Sequence, residues 1–84
     1  MGWINLGMQV EVRVTGQLVD YFSGTHVNLA EGANVEQALV ALEIPAASVG
    51  LVSVNGEAVP RAKRAQHGLV DGDQMVVMAP LTGG

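Results

Sequence analysis

From Met8 to Thr15 the apolar side chains fall on alternate positions. Val10, Val12 and Val14 share one face and Gln9, Glu11, Arg13 and Thr15 the other, which is the period-two signature of a strand with one wet face. Thr25 to Leu29 repeats the pattern, with Val27 and Leu29 inward and His26 and Asn28 outward. The stretch between them, Gly16 to Gly24, holds Leu18, Val19, Tyr21 and Phe22 and is too apolar for a loop tip. It is expected to fold back onto the core, with Tyr21 and Phe22 as a cap.

The period changes at Asn34, where Gln37 three residues on completes a capping box and Glu36 suits the first turn of a helix. Val35, Ala38, Leu39 and Leu42 then form one stripe, while Glu36 and Glu43 face water, so a helix is predicted from Val35 to about Glu43, ended by Pro45. Leu51 to Val54, Asn55-Gly56 and Glu57 to Val59 read as a hairpin, because Asn-Gly accepts the positive φ of a type I′ turn. Pro60 closes it. After a loop, Asp71-Gly72-Asp73 launches a last strand, Gln74 to Ala79, which Pro80 stops. The order is β-β-α-β-β-β, an α+β domain in which a mixed sheet of about five strands wraps one main helix. In the last strand Met75, Val76, Val77 and Met78 make both faces apolar, although one helix covers only one face of a sheet. An exposed apolar patch is therefore expected there, and methionine suits a surface that meets more than one partner.

Composition narrows the function by exclusion. A chain of 84 residues, 49% of them apolar, is one small domain that folds unaided. Eight acidic residues against four basic ones leave a net charge of -4, which repels phosphate backbones and argues against a nucleic-acid partner. Three of the four cations, Arg61, Lys63 and Arg64, crowd into one loop, where charge complementarity could orient a protein partner. There is no cysteine, hence no disulfide framework or thiolate nucleophile, and a reducing, cytoplasmic setting is expected. No apolar run is long enough to span a membrane, and the N-terminus lacks the pattern of a secretory signal. His26 and His67 have no metal-ligand spacing, and Ser23, Ser48 and Ser53 no nucleophile signature. No intrinsic catalytic or metal site is expected.

The element order resembles the β-grasp fold of ubiquitin, and particular segments sharpen the resemblance. Val52-Ser53-Val54-Asn55-Gly56-Glu57, then Leu69-Val70-Asp71-Gly72-Asp73, an apolar strand and a terminal Pro80-Leu81-Thr82-Gly83-Gly84 look like the MoaD/ThiS family of ubiquitin-like sulfur carriers. The resemblance covers Met8 to Gly84. It divides the chain into an N-terminal extension over 1–7, a β-grasp domain over 8–79 and a glycine-ended tail over 80–84. Asn55-Gly56-Glu57 followed by Val59-Pro60-Arg61 is nearer the thiamine-pathway carriers. The Pro80–Gly84 ending and the apolar first connection are nearer the small subunit of molybdopterin synthase, which is the type favoured.

The resemblance implies a carrier with no bound cofactor, itself the substrate of other enzymes. An E1-like adenylating enzyme would use ATP to activate the Gly84 carboxylate, and a sulfur donor would convert it to a thiocarboxylate. A sulfur-accepting enzyme, such as the large subunit of molybdopterin synthase or a thiazole synthase, would then receive the sulfur. A ubiquitin-like modifier joined to lysine amines through Gly84 is the alternative. A free α-carboxylate is an anion at neutral pH and a poor acylating agent, so activation is chemically required. Gly83 and Gly84 lack Cβ and suit a narrow channel, while Leu81 and Thr82 give the tail its length. By the same resemblance, counting back in steps of two from Gly84 turns Met75 and Val77 toward the helix. Val76 and Met78 then point outward as a partner interface beside the tail.

Overall fold

The computed structural model describes residues 7–80. Its N-terminal alternating stretch is strand β1 (Gly7–Val14), in which Met8, Val10 and Val12 are buried and Gln9 and Arg13 exposed. The strand starts one residue earlier than the sequence pattern indicates, because Gly7 already pairs with Ala30 of strand β2 (His26–Ala30). A single helix, α1 (Val35–Ala41), follows. Strands β3 (Leu51–Val54) and β4 (Glu57–Ala58) make the hairpin, and β5 (Gln74–Met78) completes the sheet. The sheet order is β2-β1-β5-β3-β4. Only the central pair, β1 and β5, is parallel; the neighbouring pairs are antiparallel. This is the mixed five-stranded β-grasp sheet, with its single helix on one face.

Both ends of α1 are set locally. Asn34 has extended backbone and its Oδ1 accepts from the Gln37 N–H at 2.8 Å, while Gln37 Oε1 accepts from the Asn34 N–H at 2.9 Å, so the capping box is complete. At the other end the structure corrects the sequence reading. The helix stops at Ala41, with Leu42 as its cap, before Pro45 can act. Glu43 takes φ +61°, its N–H donates to the Val40 carbonyl at 2.9 Å, and Ile44 N–H donates to the Leu39 carbonyl at 3.1 Å. That pair of bonds is a Schellman stop, with glutamate in the left-handed position that glycine usually fills.

The helical stripe of Val35, Ala38, Leu39 and Leu42 packs with Met8, Val10, Val12, Leu29, Val52, Val54, Met75 and Val77 in one buried cluster. The first connection contributes as well: a 3₁₀ turn over Gly16–Asp20 buries Leu18, and Phe22 lies against the core. Tyr21 departs from its expected capping role. It is 45% exposed, and its hydroxyl lies 3.5 Å from Ser48 Oγ.

The Asn55-Gly56 turn has φ +53° and +85°, as a type I′ turn requires. Asn55 does more than turn the chain. Its Nδ2 donates to Asp73 Oδ1 at 2.8 Å, its Oδ1 accepts from Gln74 N–H at 2.9 Å, and its own N–H donates to the Gln74 carbonyl at 2.7 Å. Asp73, buried, also accepts from Val70 N–H through Oδ2 at 2.9 Å. One carboxylate therefore ties the hairpin and the Asp71-Gly72-Asp73 turn to the start of β5.

Candidate functional site at the chain exit

Strand β5 is central, so the chain leaves the sheet between β1 and β3 and not from an edge. Its last turn is fixed from both sides. Gly50 N–H donates to the Met78 carbonyl at 2.7 Å, Thr15 N–H to the Val77 carbonyl at 3.1 Å, and Ala79 N–H to Thr15 Oγ1 at 3.2 Å. Pro80 then offers no N–H, and the ladder ends. A Cβ on Gly50 would lie 2.7 Å from Pro80 Cα and 2.9 Å from the Ala79 carbonyl carbon. The departing backbone therefore needs glycine at position 50 to pass.

The alternation expected for β5 is observed: Met75 and Val77 are buried under the helix, and Val76 and Met78 are half-buried on the opposite face. Register sets their surroundings. Val76 lies between Arg13 and Ser53, and Met78 is paired with Leu51. Leu51, 58% exposed, is the most open apolar side chain of the group. With Thr15, Gly50, Met78, Ala79 and Pro80 it lines a shallow, mostly apolar depression of about 400 Å³ at the root of the tail. On the other side of Pro80 a more polar cleft of about 330 Å³ holds Gln17, Tyr21 and Ser48. The tail residues Leu81, Thr82, Gly83 and Gly84 lie outside the described residues.

The expected outward pair thus takes its place at the exit, joined by three residues that the sequence reading did not single out. Leu51 carried a legible signal, since Val52 and Val54 point inward and alternation turns Leu51 outward. Thr15 and Gly50 carried none, because their roles arise from strands that meet only in the folded sheet.

The basic loop divides. Arg61 and Lys63 stand exposed on a 3₁₀ turn (Arg61–Lys63) at the end of the sheet where Leu51 faces Met78. Arg64 does not join them as a surface docking cation: it is 5% exposed. The physical reason is the anchoring of its backbone to the helix start, where Glu36 N–H donates to the Arg64 carbonyl at 3.3 Å and Asn34 Nδ2 to the Ala65 carbonyl at 2.9 Å. Burial, and after it the like charge of Arg61, lower the Arg64 guanidinium below the ordinary arginine value.

Among the described residues no three of His, Cys, Asp and Glu gather at metal-binding distance, and no helix is long and apolar enough to cross a membrane. The organised feature of this surface is the exit itself, a clamped strand end opening onto an apolar rim.

Solved structures share this fold. The solution structure of the Haloferax volcanii HVO 2177 protein superposes with a TM-score of 0.74 at 21% identity, covering 100% of this chain and 93% of that one. The crystal structure of the thiamine biosynthesis protein ThiS from Geobacter metallireducens superposes at 0.66 with 26% identity, covering 92% and 99%. SAMP1 from Haloferax volcanii superposes at 0.66 with 22% identity, covering 90% and 99%. No curated protein matches the chain. The sequence pattern of the ThiS family matches residues 12–84, from the middle of β1 through the clamped exit to the final glycine. The chain belongs to the ThiS family of ubiquitin-like β-grasp proteins.

Proposed function

We propose that the protein is a sulfur carrier working through the carboxylate of Gly84. The observation that carries this reading is the exit: a central strand clamped by Thr15 and Gly50 and ended at Pro80 beside an apolar rim of Leu51 and Met78, with four residues, to Gly84, following in the sequence. From Pro80 the tail reaches at most about 14 Å. A partner must therefore seat its active site close to that rim, and the rim supplies the apolar contact that holds the body while the tail threads.

The chemistry follows from the carboxylate. An E1-like adenylating enzyme brings ATP, a carboxylate oxygen attacks the α-phosphorus, and pyrophosphate leaves. Sulfide delivered by a sulfur donor then attacks the carbonyl carbon and AMP and a proton leave, so Gly84 ends as a thiocarboxylate, a soft nucleophile for a second enzyme. This chain supplies the tail and the docking surface and no catalytic group. The ThiS match favours a thiazole synthase as acceptor, whereas the Pro80-Leu81-Thr82-Gly83-Gly84 ending favours the large subunit of molybdopterin synthase.

The test is intact mass after incubation with an adenylating enzyme, ATP and a sulfide donor. The expected result is the gain of one sulfur in place of one oxygen, mapped to Gly84 and lost on deleting Gly84. Sulfur transfer to each acceptor class in turn then assigns the pathway. Adducts to lysines of other proteins, without the sulfur mass, would replace the carrier with the modifier.

A further inference from the structure

Of the four asparagines in the chain, Asn5 and Asn28 precede leucine, Asn34 precedes valine and only Asn55 precedes glycine. An Asn-Gly pair can cyclise. The Gly56 nitrogen loses its proton to solvent base and attacks Asn55 Cγ, and Nδ2 leaves as ammonia to give a succinimide. Water then opens the ring to aspartate or, through the other carbonyl, to isoaspartate. Glycine leaves the attacking nitrogen unhindered, and here nothing lies within 4 Å of where a Gly56 Cβ would stand. Both turn residues are exposed, so hydroxide and water reach them.

The fold opposes the first step. Asn55 is left-handed at φ +53°, and with the ψ of about +47° that goes with it the Gly56 nitrogen lies opposite Cβ across the Cα–C bond. The succinimide ring needs those two atoms nearly eclipsed. The side-chain amide is also held against β5: Nδ2 donates to Asp73 Oδ1 at 2.8 Å and Oδ1 accepts from Gln74 N–H at 2.9 Å. Ring closure therefore requires the turn to leave the left-handed conformation and both side-chain bonds to break, which opens this end of the β3–β4 hairpin.

The product does not fit the place that the amide left. Aspartate at position 55 replaces the Nδ2 donor with a second anionic acceptor, 2.8 Å from Asp73 Oδ1. Asp73 is buried, and its other oxygen already accepts from Val70 N–H at 2.9 Å. Two carboxylates in that position repel each other where little water screens them. Isoaspartate adds a methylene to the backbone and lengthens a turn that accommodates two residues.

We infer that Asn55 is a deamidation site gated by its own hairpin. The native turn protects it, opening exposes it, and the acid that forms keeps the hairpin from closing back onto Asp73 and β5. A reversible fluctuation thereby becomes a permanent change. It falls at the start of β5, where Val54 faces Met75, at the opposite end of that strand from the chain exit, so it stands whether or not Gly84 carries sulfur.

The test incubates the full-length protein in warm, mildly alkaline buffer, with and without denaturing urea. The peptide holding Asn55 is then read by mass for the exchange of amide for acid, and its aspartate and isoaspartate forms are separated by chromatography. The expected result is conversion at Asn55 in urea, slower by about tenfold or more in the folded protein, with Asn28 and Asn34 unchanged over the same time. Asn55→Asp is expected to lower the melting temperature by about 4–8 °C or more. Adding Asp73→Asn returns a donor opposite the new carboxylate and should recover most of that loss. If Asn55→Asp fails to fold, recovery of folding in the double variant carries the comparison. Equal rates in folded and unfolded protein, an Asn55 that survives urea unchanged, an Asn55→Asp melt equal to the parent's, or a double variant no more stable than Asn55→Asp alone would each overturn the assignment.

Discussion

Glu43 holds the left-handed conformation at φ +61° because the Schellman bonds of the helix end demand it there. A side chain with Cβ pays about 1 kcal/mol or more for that backbone, which glycine avoids. Glu43→Gly is therefore expected to stabilise the domain by roughly 1 kcal/mol, raising the melting temperature by about 4–8 °C. Thiolation of the tail should be unchanged. The opposite sign holds at Gly56, φ +85°, where valine is expected to cost about 1 kcal/mol or more, read in urea unfolding. Asn55 is more demanding than its turn role alone, since alanine there removes the two side-chain bonds to Asp73 and Gln74 and leaves a buried carboxylate oxygen unpaired. A loss of about 2–4 kcal/mol is expected, well beyond that of a turn residue bonded only to water.

At the scale of elements, β5 carries two different surfaces in consecutive residues. Val77→Asp places a charge in a fully buried site against the helix and is expected to unfold the domain. Val76→Asp, half-buried between Arg13 and Ser53, is expected to leave a cooperative melt and, on the proposed carrier reading, to weaken docking to an adenylating enzyme by about a hundredfold. The exit offers a third test. Gly50→Val forces a side chain into the backbone at Ala79 and Pro80, so the strand end must shift. Overpacking of this kind costs about 1–3 kcal/mol, and thiolation should fall further than the melt alone predicts, because the tail leaves at a changed angle. Alternation along β5 was legible from sequence because period two is a property of any strand. The Thr15 and Gly50 clamp was not, since each contact joins residues far apart in the chain.

For the molecule as a whole, an apolar and a charged feature stand at one end of the sheet: the rim of Leu51 and Met78 at the chain exit, and the exposed cations Arg61 and Lys63 on their 3₁₀ turn. Their effects should add. On the proposed carrier reading, with Arg61 orienting the partner by charge, combining Leu51→Asp with Arg61→Glu is expected to give the product of the two single defects in docking, because the two residues line no common depression. Raising salt should weaken the contribution of Arg61 and Lys63 and spare the rim, since exposed charges are screened and apolar burial is not.

Local chemistry determined much of this protein directly from its sequence. The capping box at Asn34 and Gln37, the Asn55-Gly56 turn, the strand periods and the order of elements each depend on residues within a few positions of one another. Tertiary structure decided the rest. It put β5 in the middle of the sheet, made Gly50 the narrow point of the exit, and buried Arg64 while leaving Arg61 and Lys63 in water. Charge and spacing alone read those three cations as alike. Burial separates them, because it depends on which surfaces the fold brings together and not on the neighbours a residue has along the chain.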